Sequence, residues 1–266
     1  LGNGKAKQVV TFHNVTPEAF VPPAARELIR KSMRQIHMFS NVDEIWAVSR
    51  TNIDTLASQG VRTSHARVLP IVVDTSQRTP IADSPPEVVS VLFLGRFVPS
   101  KGVLDLLRAM AKVKAAGRVK FRLTMAGNQR YSDPAYLEQV KAAAAVLGES
   151  VDYRGEVTDV EKAELFRKAD IFAIPSYHEG FCVPVVEALA AGCVPVGYAA
   201  HNLPRIFGGF GRLVPPGDID ALAEVLEDVC RMLARPGMPR VLYLDRGAMT
   251  ARDHALALTA YLQTFT

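Results

Sequence analysis

Short apolar runs of strand length alternate with stretches of helical periodicity along most of this 266-residue chain. The clearest unit covers residues 169–196. There, an apolar strand at 171–175 leads through a polar loop into an apolar helix at 183–191 and then into a second strand at 194–196. Gly192 follows the helix, as is common at helix ends. Strands that alternate with helices in this way predict an α/β fold with a doubly wound parallel sheet.

The same alternation recurs before and after this unit. The other predicted strands are at 8–13, 44–49, 67–73, 88–97, 120–127, 151–157 and 212–214. The other predicted helices are at 24–39, 51–60, 102–116, 134–147, 159–168 and 219–233, with a turn at 202–207 and helical stretches over 241–265. Residues 74–86 are rich in Pro, Ser and Asp and form the predicted linker. We therefore expect the chain to divide into an N-terminal segment with the linker at 1–84, a larger domain at 85–245 and a C-terminal helical segment at 246–266.

Charge and cysteine content narrow the classes of partner. The net charge of +4 suits an anionic ligand or an anionic membrane surface, and it is too small to indicate nucleic acid. The chain has three cysteines, Cys182, Cys193 and Cys230, without the spacing of a metal site. Free thiols in a reducing, cytoplasmic compartment are the simplest interpretation.

Two glutamates frame the loop and helix of the central unit. Glu179 is in the loop and Glu187 is in the first turns of the helix. The N-terminus of a helix favours phosphate, whereas ionised carboxylates accept hydrogen bonds from hydroxyl groups. A diphosphate flanked by sugars meets both demands. The alternative is that Glu179 is a solvated loop residue and Glu187 interacts only with the helix dipole.

Cations and a histidine follow other predicted strands. Arg96 and Lys101 lie between the end of strand 88–97 and the start of helix 102–116, where they form a candidate anion site. Gly127 and Asn128 end the next strand. His13 ends the first strand, and ligands of α/β folds gather at the carboxyl ends of strands. As alternatives, the cations are surface charges and His13 is an ordinary loop residue.

The segment E-G-F-C-V-P-V-V-E resembles the E-x7-E motif of retaining glycosyltransferases of family 4, which have the GT-B architecture of two Rossmann-like domains. The segments H-N-V-T-P, G-R-F-x-x-x-K-G and G-R-L-V-P-P-G-D resemble further family segments, so the likeness runs from about His13 to about Val229. The family usually has Gly in place of Cys182 and often Glu in place of Arg205. The resemblance implies a C-terminal Rossmann-like domain preceded by a partial N-terminal one whose first part is absent from this chain.

The resemblance implies transfer of a hexose from a UDP- or GDP-linked sugar to a hydroxyl of a saccharide or lipid-linked acceptor, with retention and without metal or cofactor. Arg96 and Lys101 would hold the diphosphate, and Glu187 would hold the ribose. Glu179 and His13 would face the sugar. The remaining donor-binding residues would be Gly95, Gly127, Asn128, Val157, Gly180, Phe181, Cys182 and Val183. The last helix would return to the N-terminal domain.

Other activities and partners remain open at this stage. The chain could be a donor-binding subunit that is inactive alone, or a sugar-nucleotide epimerase or phosphorylase of the same architecture. The basic helix at 24–39 could contact the inner face of a membrane peripherally. We expect no nucleic-acid partner, and the sequence does not indicate an oligomeric state.

Overall fold

The protein is built on two parallel β-sheets. This computed structural model describes residues 6–75, 85–130, 132–235 and 251–266. The strands are β1 (Val9–Phe12), β2 (Glu44–Ala47), β3 (Ala66–Val68), β4 (Val89–Leu94), β5 (Phe121–Ala126), β6 (Val151–Gly155), β7 (Ile171–Ile174), β8 (Val194–Tyr198) and β9 (Arg212–Val214). The first sheet has the order β1-β2-β3, and the second has the order β6-β5-β4-β7-β8-β9. Every strand pair is parallel, which confirms the predicted α/β class.

Helices connect the strands. They are α1 (Pro23–Gln35), α2 (Arg50–Ser58), α3 (Val103–Ala116), α4 (Pro134–Leu147), α5 (Asp159–Lys168), α6 (Val183–Ala190), α7 (Leu203–Phe207), α8 (Ile219–Leu233) and α9 (Ala251–Gln263). The predicted bounds of α4, α5 and α8 are confirmed, and the reason is local. Asp133, Thr158 and Asp218 each accept a hydrogen bond from a backbone N–H of the first turn.

Several predicted strands are longer than the observed ones, and three predicted elements differ most in extent or type. The α-helical part of 24–39 ends at Gln35, and the chain continues as a 3₁₀ helix over Ile36–Asn41. The strand predicted at 67–73 ends at Val68, because Pro70 has no N–H to continue the ladder. The predicted turn at 202–207 is helix α7, in which Pro204 fits the first turn and Gly208 ends the helix in the left-handed region.

The second sheet lies in the main hydrophobic core. Every residue of β7 is buried and apolar, and β4 is buried and apolar except for Ser90, as is typical of central parallel strands. Val48 and Val73 also belong to this core, although they precede the predicted linker. Residues 6–75, called the N-terminal part below, are therefore packed against residues 85–266, the C-terminal part.

Helix α9 packs against α6 of the C-terminal part. The Tyr261 hydroxyl donates to the Ile206 carbonyl at 2.6 Å, and the Phe265 carbonyl accepts from the Val73 N–H of the N-terminal part at 3.0 Å. Residues 76–84, most of the predicted linker, and 236–250 lie outside the described residues. The division at 84 and 245, and the return of the last helix to the N-terminal domain, stay predictions.

Candidate functional site

The order of the second sheet creates a crevice between β4 and β7. The chain runs outward from β4 to β5 and β6, then crosses to the other side of β4 to form β7. Such a switch point leaves a crevice at the carboxyl ends of the two strands, where ligands of open α/β sheets bind. The loop after β4 carries Lys101, and the loop after β7 carries Glu179.

Lys101 and Glu179 form an ion pair in this crevice. The Lys101 Nζ is 2.5 Å from the Glu179 Oε1, and the two side chains are 16% and 8% exposed. The two loops are also fixed to each other, because the Tyr177 N–H donates to the Ser100 carbonyl at 2.8 Å. The crevice thus holds a half-buried cation and a buried carboxylate side by side, the first suited to an anion and the second to hydroxyl groups.

A pair of histidines in mutual ring contact adjoins the Glu179 backbone. The rings of His178 and His201 are 3.9 Å apart at an angle of 40°. The His201 Nδ1 donates to the Glu179 carbonyl at 2.5 Å, and the His178 Nε2 is 2.8 Å from the Asn14 Oδ1. Burial, with the neighbouring charges of His201 and Lys101, lowers the pKa of His178 to about 4. His178 is therefore neutral at pH 7.

The sequence analysis missed both histidines and Asn14. Local signals were present, since His178 directly precedes Glu179 and the dipeptide His-Asn occurs both after β1 and after β8. Their meeting is a long-range contact, however, and residue spacing does not reveal it.

His13 of the N-terminal part approaches the loop of Glu179 through its backbone. It follows β1, and its carbonyl accepts a hydrogen bond from the Asn52 side chain. A Cβ on Gly180 would lie 2.5 Å from the His13 carbonyl oxygen and 2.7 Å from the Asn14 Cβ. Only glycine fits this approach, so the loop that carries Glu179 directly contacts the chain after β1. The His13 side chain itself is exposed.

Cys182 has a backbone conformation that favours glycine. Its φ of +82° is left-handed, and it precedes α6 without a side-chain cap hydrogen bond. The glycine usual in the resembling family would relieve this conformation. Burial raises the pKa of the Cys182 thiol, and the neighbouring Glu179 raises it further. Cys182 is thus a protonated thiol beside the carboxylate.

Glu187 is held by a cation that the sequence analysis missed. Its Oε1 is 2.9 Å from the Lys162 Nζ of α5, which is also 3.5 Å from the Asp159 Oδ1. Burial lowers the pKa of Lys162, but the hydrogen bond to Glu187 and the charges of Glu187 and Asp159 outweigh burial and raise it. Lys162 therefore stays charged beside Glu187. Val157 lies just before α5, between β6 and this ion pair in the chain.

The glycines after β4 and β5 serve backbone packing. The Gly95 N–H donates to the Ala126 carbonyl at 3.0 Å, and the Gly127 N–H donates to the Gly155 carbonyl at 2.6 Å. A Cβ on Gly127 would overlap the Gly95 carbonyl oxygen. The Asn128 side chain donates to the Glu156 carboxylate at 2.8 Å. These contacts explain why Gly127 is a glycine, and any donor contact of these residues stays a prediction.

Arg96 lies in a different setting from Lys101. It is exposed and lines a cavity of about 390 Å³ formed together with residues 16–26 of the N-terminal part. Arg205, which stands where the resembling family often has Glu, is 3.3 Å from the Asp54 carboxylate and so contacts the N-terminal part. Phe181 and Val183 flank Cys182, and the Phe181 carbonyl accepts from the Asn202 side chain at 3.1 Å.

Within the described residues, His, Cys, Asp and Glu form no group of three or more that could hold a metal ion. The expected independence from metal stays a prediction. No helix in the described part of the chain combines the length and apolar character needed to cross a membrane.

Comparison with known proteins places these features in a family. The profile of the family described as "Glycosyl transferases group 1" matches residues 77–233. A phosphatidyl-myo-inositol mannosyltransferase of Mycobacterium leprae is 29% identical over 258 residues, which are 95% of this chain and 64% of the relative. An MMP alpha-(1->4)-mannosyltransferase of Mycolicibacterium hassiacum is 29% identical over 232 residues, which are 82% of this chain and 55% of the relative.

Solved structures share the fold. A sucrose-phosphate synthase from Thermosynechococcus elongatus superposes with a TM-score of 0.68 at 25% identity, over 96% of this chain and 65% of that protein. TarM superposes with a TM-score of 0.71 at 15% identity, over 99% of this chain and 49% of that protein. The chain thus spans less than two thirds of the length of each of these relatives. Because the profile covers more than half of its residues, the chain belongs to the glycosyl transferases group 1 family.

Proposed function

We propose that this protein transfers a hexose from a UDP- or GDP-linked sugar to a hydroxyl of a saccharide or lipid-linked acceptor. In this proposal mannose is the first candidate for the hexose, and the configuration at the anomeric carbon is retained. The observation that carries the proposal is the largely buried Lys101–Glu179 pair at the switch point between β4 and β7. The names of the mannosyltransferase relatives support mannose.

The positively charged groups of the crevice suit the phosphate end of the sugar–phosphate bond that breaks. The leaving diphosphate gains negative charge, which Lys101, Arg96 and the backbone N–H groups at the start of α6 would stabilise. Each preorganised donor of this kind is worth about 3–4 kcal/mol of barrier. These groups supply the role that a metal would otherwise have, so we propose a reaction without metal or cofactor.

The carboxylates would bind hydroxyl groups of the donor. Glu187, oriented by Lys162 at 2.9 Å, would accept from the ribose. Glu179 would accept from the sugar with the backbone of Gly180, Phe181 and Cys182 around it, and His13 would shape the reacting face. The base would lie near Val157, with Gly95, Gly127, Asn128 and Val183 completing the donor site.

The proposed step needs no covalent enzyme intermediate. The bond between the anomeric carbon and the phosphate oxygen breaks, and the acceptor oxygen bonds to the anomeric carbon on the same face. The leaving phosphate oxygen takes the proton of the acceptor hydroxyl. Glu179 acts in this step by orienting the sugar, and its ion pair with Lys101 holds its carboxylate in place.

Transfer with UDP- and GDP-linked mannose and glucose tests this proposal, with the anomeric configuration of the product read by NMR. The variant Glu179→Gln should lower kcat about 100-fold, within the range that such orienting and charged contacts supply. The control Glu138→Gln removes an exposed carboxylate of α4 and should leave kcat unchanged. An inverted product, isomerisation of the donor without transfer, or dependence on free phosphate would contradict the proposal. Nucleotide binding without turnover would indicate a donor-binding subunit instead.

We also propose a cytoplasmic location with peripheral membrane contact. Cys182, Cys193 and Cys230 form no disulfide bond, which agrees with a reducing compartment. On α1, Leu28 is 66% exposed near the exposed Arg26 and Lys31, although Arg30 and Arg34 are neutralised by ion pairs. Sedimentation with anionic and neutral vesicles tests this contact, and equal binding to both would contradict an electrostatic one.

A further inference from the structure

A cavity of about 390 Å³ lies between the N-terminal part and the loop after β4. Thr16, residues 19–23, Ala25 and Arg26 form one wall, and Val98, Pro99 and Ser100 with the start of α4 form the other. Its volume is within the range of small-ligand sites in proteins. Apolar surface dominates the lining, with Phe20, Val21 and Pro22 on one side and Tyr136 on the other.

Two arginines from opposite parts of the chain line this cavity. Arg26 comes from α1, and Arg96 follows β4. Across the described residues, neither guanidinium has a carboxylate partner, whereas Arg30 and Arg34 on the same helix as Arg26 are paired at 2.7 and 2.8 Å. Two unpaired cations that converge on one concave apolar surface give it a positive potential.

One acid also lines the cavity, so two arginines against one carboxylate leave its lining with a formal net charge of +1. Asp133 is the residue before α4, and its carboxylate accepts from the Tyr136 N–H at 3.0 Å. The Asp133 carboxylate thereby caps the N-terminus of α4. The guanidinium group presents a planar set of donors that matches phosphate oxygens in pairs, so the cavity suits a phosphate attached to a compact organic group.

We propose that this cavity binds the phosphate group of the acceptor, so that the acceptor is a phosphate-bearing molecule. This inference rests on the proposed transfer function and names its acceptor class. Arg26 is the distinguishing residue, because Arg96 is also a candidate for the donor diphosphate. The loop that contributes Arg96 and Ser100 to the cavity continues directly to Lys101, so an acceptor held here lies next to the crevice between β4 and β7.

Calorimetry on the protein saturated with UDP or GDP tests the inference, because the nucleotide then occupies the donor site. The soluble probes are glucose 6-phosphate and glycerol 3-phosphate, with glucose and glycerol as uncharged controls. The membrane probes are phosphatidylcholine vesicles with and without phosphatidylinositol. We expect the phosphate-bearing probes to bind and Arg26→Gln to weaken their binding roughly 10- to 100-fold, as for loss of a charged hydrogen bond.

The matched control is Arg122→Gln, which removes another exposed arginine that does not line the cavity. It should leave the affinity for the phosphate probes unchanged, and Arg26→Gln should leave the affinity for nucleotide unchanged. Arg26-dependent binding of the soluble probes assigns a soluble phosphate acceptor, and Arg26-dependent binding of the phosphatidylinositol vesicles alone assigns a lipid one.

Several results would overturn the inference while leaving the proposed function intact. These are nucleotide binding without binding of any phosphate probe, equal binding of the uncharged controls, and equal losses in Arg26→Gln and Arg122→Gln. Absence of nucleotide binding would instead refute the donor site, and the inference that rests on it would fail with the proposed function.

Discussion

Lowering the pH from 7 to 5 should destabilise the protein through the buried ring of His178. This side chain is 8% exposed, contacts the His201 ring and reaches Asn14 of the N-terminal part, with Lys101 also close enough to disfavour a proton on it. Its native pKa is about 4, compared with an ordinary value of 6.5. The unfolded chain therefore binds a proton in this pH range that the native protein does not bind.

The sign and size of the effect follow from this difference in pKa. Because the unfolded state binds more protons, stability rises with pH between about 4 and 6.5 and falls as the solution is acidified through this window. At pH 5 unfolding takes up about one proton, and the integrated loss between pH 7 and pH 5 is about 2 kcal/mol. Each unit of pKa difference corresponds to about 1.4 kcal/mol.

Urea unfolding at pH 7 and pH 5, followed by circular dichroism, measures this loss. His178→Gln should remove most of the difference between the two pH values. The control His37→Gln alters an exposed histidine of the 3₁₀ helix after α1 and should retain the full difference. Equal pH dependence in the wild type and in His178→Gln would refute a neutral, desolvated His178.

Three further predictions concern backbone and hydrogen-bond geometry. Gly127→Ala should lower the free energy of unfolding by at least about 3 kcal/mol, because its Cβ would overlap the Gly95 carbonyl. The control Gly117→Ala is also at positive φ but has open space around it, so it should lower the free energy of unfolding by only about 1 kcal/mol in the same urea titration. Cys182→Ala should be less stable than Cys182→Gly by about 1 kcal/mol, because glycine tolerates the left-handed backbone at this position better than alanine does. This order is the reverse of the usual preference of helices for alanine over glycine, and equal melting temperatures of the two variants would contradict the left-handed conformation. Tyr261→Phe should cost about 1 kcal/mol by loss of its 2.6 Å hydrogen bond, and an unchanged urea midpoint would contradict this.

The sequence predicted the secondary structure best where local chemistry decides it. The cap residues Asp133, Thr158 and Asp218 set the starts of three helices. The buried strand β7 is a continuous apolar run, and in β4 Ser90 alone interrupts the run. The predicted secondary structure was wrong where the pattern of apolar residues alone does not determine where an element ends or which type it is. A proline within an apolar run ended β3 early, and α7 is so short that its segment resembles a turn.

The candidate site was only partly predictable from sequence. Glu179 and Lys101 were named, but their direct pairing depends on the order of the strands, which places the loops after β4 and β7 together. The partners His201 and Lys162 lie 22 and 25 residues from the glutamates that they contact. Such contacts arise from tertiary packing, and no periodicity in the chain encodes them.

Calorimetric binding of UDP, GDP and ADP without metal tests the donor site most directly. The comparison is between the wild type, Lys101→Ala, Glu187→Ala and the control Glu138→Ala, which lies on the exposed face of α4. We predict that one nucleotide binds preferentially, that Lys101→Ala and Glu187→Ala each weaken it about 10-fold or more, and that the control does not. Failure of all three nucleotides to bind, or binding unaffected by either site substitution, would contradict a nucleotide-sugar site between β4 and β7.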